Sequence, residues 1–334
     1  MNEYPKQDSI NQYSPISNIP APILEKRAIV HTVSNIGIVL LLYLLLSATV
    51  PLLQNWIIQH WVKTNYTDYG QIITQSLSIL TFAIVYLIPT VFLYYSFQGY
   101  RYRIKKMCRI PNRTILIASI PMMLSVFVVA NIGISNFTAL LNHFHIYVLQ
   151  PAAVYPNNPV ALILYGLSLT IVPAFFEEVL FHGVMLYALR RHGDTFALIL
   201  SSVLFAIMHG NLPSAMNAFI MGLVIGYFVI RTGSLLTGML LHFINNGMVL
   251  FLNWIQLSMD GNQTIVYMIY IICLLIGSLS LIILVNRDPN LFVVYDKKTY
   301  FNNSEKIRYA FGNIFMIGVI ICCCFQIFST FTII

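Results

Sequence analysis

Nine apolar segments divide this chain, and most are long enough to cross a bilayer. They run over about 28–53, 72–97, 114–138, 159–188, 195–209, 213–230, 235–253, 265–286 and 309–331. A helix needs about 20 predominantly apolar residues to traverse the hydrocarbon core. Inside that core every backbone polar group must be satisfied within the protein. The predicted fold is therefore all-α, a polytopic transmembrane helix bundle of about nine spans in the cell membrane. Only 9% of the 334 residues are charged, far below the roughly 25% that coats a water-facing surface. Segments 195–209 and 213–230 are short and meet at Gly210-Asn211-Leu212-Pro213. They read as full spans joined by a tight turn or as partly re-entrant segments.

The placement of charge orients the bundle. With residues 1–27 in the cytosol and strict alternation of nine spans, 17 of the 18 Lys and Arg fall on the inner side, and Lys63 alone falls outside. That bias follows the positive-inside rule. The net charge of +7 thus resides in short loops, with no basic stripe and no aromatic interleaving, which argues against a nucleic-acid partner and for membrane lipid. Residues 1–24 are polar and rich in Asn, Pro, Ser and Tyr, a disordered composition. The first apolar run is longer than the core of a signal peptide and has no small-residue cleavage site behind it, so it is expected to be retained.

The expected organisation is a disordered cytoplasmic tail (1–27), three accessory helices (28–138), a functional core (155–255) and two C-terminal helices with a basic cytoplasmic loop (256–334). Gly222 and Gly226 form a small-residue pair expected to mark close packing within the bundle rather than a dimer seam. Cys108, Cys273 and the run Cys322–Cys324 make neither a disulfide framework nor a Cys-x-x-Cys metal knuckle.

Of eleven acidic residues, only Glu177 and Glu178 sit well inside a span. A charged side chain at the bilayer centre costs about 2.5–3.5 kcal/mol on insertion scales. Such residues mark function unless they serve a buried ion pair. Downstream, the fifth segment ends Phe205-Ala-Ile-Met-His209, and the seventh carries His242-Phe-Ile-Asn245-Asn246. His242 and Asn246, four apart, share one helix face. One cavity shared by the three segments would shield all these polar groups from lipid. Carboxylate, imidazole and carboxamide together can activate water and stabilise an oxyanion. Ser201 and Ser202 are present, but nothing marks either as an activated nucleophile.

These three segments resemble the motifs of the CPBP family, which comprises type II CAAX prenyl endopeptidases and Abi-like bacteriocin-processing and self-immunity proteins. The family pattern is Glu-Glu-x-x-x-Arg, then Phe-x-x-x-His, then His-x-x-x-Asn. Here it reads Glu177-Glu178-Val-Leu-Phe-His182, Phe205-x-x-x-His209 and His242-x-x-x-Asn246, with Gly183 after the first motif. The resemblance covers roughly 155–255 and implies an intramembrane endopeptidase acting on peptides or membrane proteins. By the same resemblance Glu177, with His209, activates water, and His242 and Asn246 stabilise the oxyanion. Glu178 and His182 support the first helix, and Phe205 shields the pocket. A zinc or other divalent-metal variant would use His209, His242 and Glu177 as ligands; a metal-free glutamate mechanism needs no ion. His182 stands where the family has Arg. It is spaced to pair with Glu178, though imidazole binds a carboxylate less strongly than guanidinium.

Two other readings fit the same residues: a non-catalytic immunity or scaffold protein on this fold, and a proton-coupled transporter. Counted from the inner helix ends at 1.5 Å per residue, Glu177 and His242 lie roughly 10–18 Å deep and His209 roughly 20 Å. That places His209 deeper than its partners.

Overall fold

The computed structural model describes residues 20–62, 67–97, 107–111, 113–149, 154–258, 263–294, 296 and 298–333. The first accessory helix, α1, runs over Ala21–Ile57 and continues as a π-turn through Val62. It begins seven residues before the expected start at 28, so residues 21–27 are helix and not tail. Pro20 precedes the helix and Pro22 sits in its first turn, where a fixed φ favours helix and no amide proton is missed. Residues 1–19 of the expected tail, and the loop charges Lys6, Lys63, Arg101, Arg103, Lys105, Lys106 and Lys297, lie outside the described residues.

Then follow α2 (Asp68–Ser96), α3 (Arg113–His143), α4 (Pro159–Leu169) and α5 (Ile171–Glu178). A π-turn (Val179–Met185) and a last helical turn (Leu186–Leu189) continue α5. The remaining helices are α6 (Asp194–Ile207), α7 (Leu212–Thr232), α8 (Leu235–Ser258), α9 (Gln263–Arg287), α10 (Asn303–Phe311) and α11 (Ile314–Phe328). The bundle wears its apolar side chains outward. Leu275, Ile276 and Leu279 of α9 are exposed, while Glu177, Glu178, His182 and His242 are buried. That inversion is what a lipid solvent selects, and the chain is a multi-pass integral membrane protein.

Among the described residues, seven helical segments are long and apolar enough to span a membrane, or eight if α10 and α11 count as one. Each of the nine expected segments is largely helical, but three differ from a full straight span, the fourth by an interruption at Thr170. Helix α6 has 14 residues, about 21 Å against a hydrocarbon core of roughly 30 Å. The ninth bends by 74° between α10 and α11. There Asn313 caps a new helix by accepting from Phe315 N, and α10 is polar, opened by a reciprocal Asn302–Glu305 capping box.

Loops expected on one side lie together. Lys306 Nζ donates to His192 O at 2.6 Å, Asp296 accepts from Thr195 N at 2.9 Å, and Glu25 accepts from Tyr300 N at 2.8 Å. Ser234 donates to Arg109 O at 2.6 Å, and Arg231 pairs with Asp288. At the other end β1 (Ile146–Val148) pairs antiparallel with β2 (Phe331–Ile333), and Asn158 N donates to Gln71 Oε1.

The turn between α6 and α7 uses Gly210 in the left-handed region (φ 72°), then Asn211, whose side chain caps α7 by accepting from Ser214 N. Gly222 and Gly226 face inward. A Cβ on Gly222 would meet Ser202 and Phe205 of α6 at 3.2–3.3 Å, and one on Gly226 would meet Leu198 at 2.8 Å. The pair lets α7 approach α6 within the bundle, as expected.

Candidate active site

The fourth expected span, 159–188, is broken where the site is built. Pro173 removes a backbone donor and crowds the carbonyl one turn back. The chain kinks at Thr170 (φ −120°, ψ −73°), whose hydroxyl donates to Gly166 O at 2.7 Å. Helix α5 then carries Glu177 and Glu178 into the bundle. Adjacent helical residues point about 100° apart, so the two carboxylates face different partners. A π-turn begins directly after them, a feature often found at functional sites.

Glu178 is the anchor. It is fully buried. His182 Nδ1 lies 2.8 Å from its Oε2, and His242 Nδ1 lies 2.9 Å from its Oε1. A carboxylate can only accept, so each ring turns its Nδ1–H toward Glu178. The i, i+4 pairing of Glu178 with His182 is thus present, and the same carboxylate also ties α5 to α8. Two glycines make room. A Cβ on Gly238 would sit 2.6 Å from Glu178 Oε2, and one on Gly226 would sit 3.2 Å from His182 Cδ2. His182 Nε2 is buried with no hydrogen-bond partner among the described residues.

Glu177 faces the other way. Tyr86 of α2 donates its hydroxyl to Glu177 Oε1 at 3.0 Å, and Tyr43 of α1 lies 2.9 Å from the Tyr86 oxygen. Glu177 Oε2 lies 3.8 Å from His242 Nε2. That separation is too long for a direct hydrogen bond and is the kind a water bridges. Glu177 keeps 7% of its surface open while Glu178 keeps none, so Glu177 is the carboxylate that can meet water.

Phe205 stands among the three imidazoles. Its ring makes edge contacts with His182, His209 and His242 at 5.7, 4.8 and 5.9 Å between centroids. His209 follows the end of α6, and its Nδ1 lies 2.8 Å from Phe205 O, which leaves Nε2 for a ligand. No hydrogen bond or ion pair joins His209 to Glu177 among the described residues; the imidazole beside Glu177 is His242. On α8, Asn245 Nδ2 donates to Asn246 Oδ1 at 3.0 Å, which leaves the Asn246 NH2 group to donate elsewhere. Asn245 Oδ1 is buried without a partner among the described residues. One residue past Asn246 an apolar cleft of about 340 Å³ opens between α4 and α8, walled by Tyr155, Tyr165, Phe251 and Trp254. Ser201 and Ser202 both donate back to Leu198 O, so neither is paired with a base.

Tyr86, Tyr43 and Asn245 are site neighbours that the motifs do not single out. Twenty tyrosines occur in the chain, and nothing in the sequence distinguishes these two. Asn245 had a signal, since it lies three residues after His242 on the same helix face.

The zinc or divalent-metal expectation concerns His209, His242 and Glu177. Among the described residues no three His, Cys, Asp or Glu side chains converge as a metal-binding group. His242 turns Nδ1 to Glu178 and His209 turns Nδ1 to a backbone carbonyl, which leaves Nε2 of each ring outward, an arrangement that metal-ligating imidazoles also use. The arrangement that is present, a carboxylate-oriented imidazole facing a second carboxylate, suits proton transfer to and from a bound water.

Comparison with known proteins bears on the same region. Residues 159–248 match the family described as "Type II CAAX prenyl endopeptidase Rce1-like". The match spans α4 to the middle of α8 and contains all three motifs. It is a family of proteases and supports a peptidase of the CAAX type. Neither the curated proteins nor the solved structures contain a match to this chain.

Proposed function

On the premise that residues 159–248 form a type II CAAX protease core, we propose that this protein is an intramembrane endopeptidase in which Glu177 activates the attacking water. The observation that carries the proposal is the line Glu178–His242–Glu177, with a 2.9 Å hydrogen bond on one side of the imidazole and a 3.8 Å gap on the other. A water in that gap donates one hydrogen bond to Glu177 Oε2 and the other to the Nε2 lone pair of His242. Glu177 takes the water's proton as its oxygen bonds to the peptide carbonyl carbon. The oxyanion receives the free N–H of Asn246. Collapse breaks the C–N bond, and Glu177 returns the proton to the leaving amine. Preorganised donors aimed at the developing charge account for much of such a rate enhancement. Glu178 does not touch the reacting atoms; it fixes the tautomer and direction of His242, as a carboxylate does for a catalytic imidazole. His209 Nε2 and the aromatic cleft beyond Asn246 supply contacts for the substrate. The substrates proposed are membrane-associated peptides or membrane-protein segments, with prenylated Cys-aliphatic-aliphatic-X peptides as the first class to try.

The experiment is cleavage of quenched-fluorescence peptides, prenylated and unprenylated, by purified protein in detergent. Cleavage by the wild type that is lost in Glu177→Ala and in His242→Ala supports the proposal. Cleavage that survives both changes overturns it. A cellular immunity phenotype that persists in both variants points to a scaffold, and substrate-dependent proton flux lost in Glu177→Ala points to a transporter.

A further inference from the structure

The accessory helices complete the site. We infer that Tyr86, backed by Tyr43, is a positioning residue for Glu177: its phenol holds Oε1 so that Oε2 is the oxygen turned toward His242 Nε2. The inference rests on the peptidase reading for its consequence and on geometry for its content.

Tyr86 lies on α2 and Tyr43 on α1, both outside the matched segment 159–248. Both rings are buried. They meet edge to face at 4.9 Å, and Phe82 stacks on Tyr86 at 4.5 Å with planes 20° apart. The Tyr86 ring therefore cannot swing away without breaking two aromatic contacts. Its hydroxyl lies 3.0 Å from Glu177 Oε1. An ionised carboxylate only accepts, so the Tyr86 proton is committed to Glu177. The Tyr86 oxygen is then free to accept, and Tyr43 at 2.9 Å is the donor. The result is a one-directional chain, Tyr43 to Tyr86 to Glu177, in which each bond polarises the next. Of the two Glu177 oxygens, Oε1 is held by this chain. Oε2, 3.8 Å from His242 Nε2, remains for chemistry. Without the phenol the carboxylate could rotate about its last torsion and turn its plane out of line with His242, since that torsion is broad.

Phenylalanine at 86 keeps the ring packing and removes only the hydroxyl. Two measurements on the full-length protein test the inference. First, the carboxylate stretch of Glu177 is identified by infrared difference as the band lost in Glu177→Gln. It is expected to move in Tyr86→Phe, to move less in Tyr43→Phe, and to stay put in Tyr267→Phe, a lipid-exposed control. Second, on the peptide the wild type cleaves fastest, Tyr86→Phe is expected to lower kcat about 10- to 100-fold, the range of a hydrogen bond to a charged group. KM should stay near wild type, and the thermal midpoint should fall modestly because a buried hydrogen bond to a carboxylate is lost. Tyr43→Phe should have a smaller effect, and the double variant should be no worse than Tyr86→Phe alone, because Tyr43 acts through Tyr86. An unmoved band in Tyr86→Phe, or an unchanged kcat, overturns the inference. A band that moves in protein that cleaves nothing counts against the peptidase reading alone; the positioning contact then stands on the band.

Discussion

Glu178 Oε1 lies 2.9 Å from Nδ1 of His242, a residue 64 positions further along the chain. The same carboxylate holds His182 at 2.8 Å, so one fully buried group joins two helices through two imidazoles. Burying a lone carboxylate is costly, and two N–H donors are what make this one tolerable. The second donor comes from α8, so His182 does not hold Glu178 alone.

Removing the anchor should unfold the site. Glu178→Ala leaves two buried imidazoles without their acceptor, and breaking a buried pair from one side costs about 3–5 kcal/mol. Thermal unfolding in detergent should show a clear drop in midpoint. A midpoint equal to wild type would mean that Glu178 holds nothing.

Gly238→Ala tests the same anchor from α8. Its Cβ would fall 2.6 Å from Glu178 Oε2 and 2.7 Å from Val229 Cγ2, and overpacking of this kind costs about 1–3 kcal/mol. Gly133→Ala on α3 meets nothing within 4 Å and lies away from the site, which makes it the control. The expected outcome is a lowered midpoint and reduced cleavage for the first and near wild-type behaviour for the second. Equal behaviour would place the close approach elsewhere.

The loop over the start of α6 carries a pH signature. Burial alone would raise the Asp296 carboxyl. The Thr195 hydrogen bonds, Asn303 and the charge of Lys306 outweigh it and hold the group below its usual range. A depressed folded value means that its contribution is complete above the unfolded value, about 3.9. It is lost as pH falls through the folded one. Asp296→Asn should therefore lower the thermal midpoint slightly at pH 7. The gap from wild type should close as the pH drops below about 4. A gap that is constant with pH would rule out the charge as its source. Asp296 is exposed, so the effect should also shrink in high salt.

The role proposed for Glu177 as the base that takes the water's proton predicts that cleavage needs no bound metal. Elemental analysis of active protein should find zinc well below one per chain, and activity should survive chelation. Stoichiometric zinc that disappears in His209→Ala, together with activity restored by zinc, would replace the water-activating role of Glu177 with that of a ligand.

Much of this architecture is readable along the chain because lipid leaves few choices. Long apolar runs such as 265–286 must be helices, and α9 is one. Glu177, Glu178, His209 and His242 stand out because polar groups are rare in such runs. Spacing alone reaches the Glu178–His182 contact, which is local. It does not reach the choice of His242 over His209 as the imidazole beside Glu177, because that depends on how α5 and α8 cross. The kink at Thr170 and the π-turn at Val179–Met185 change that crossing in ways helical periodicity does not encode. The bend at Asn313 was masked by an apolar stretch that continues past a capping residue. Tyr43 and Tyr86 were invisible for a different reason: a tyrosine in a span is unremarkable until a carboxylate is found beside it.

The central claim is that two adjacent carboxylates hold different jobs, Glu178 orienting His242 and Glu177 acting on water. Its most direct test is kcat for Glu177→Gln, measured beside the thermal midpoint of the same protein. Glutamine keeps the shape and can still accept from Tyr86, but it cannot take a proton. The account predicts an unchanged midpoint and a fall in kcat of at least about 10²–10⁴-fold, the contribution of a general base. A Glu177→Gln protein that cleaves peptide at the wild-type rate would contradict it.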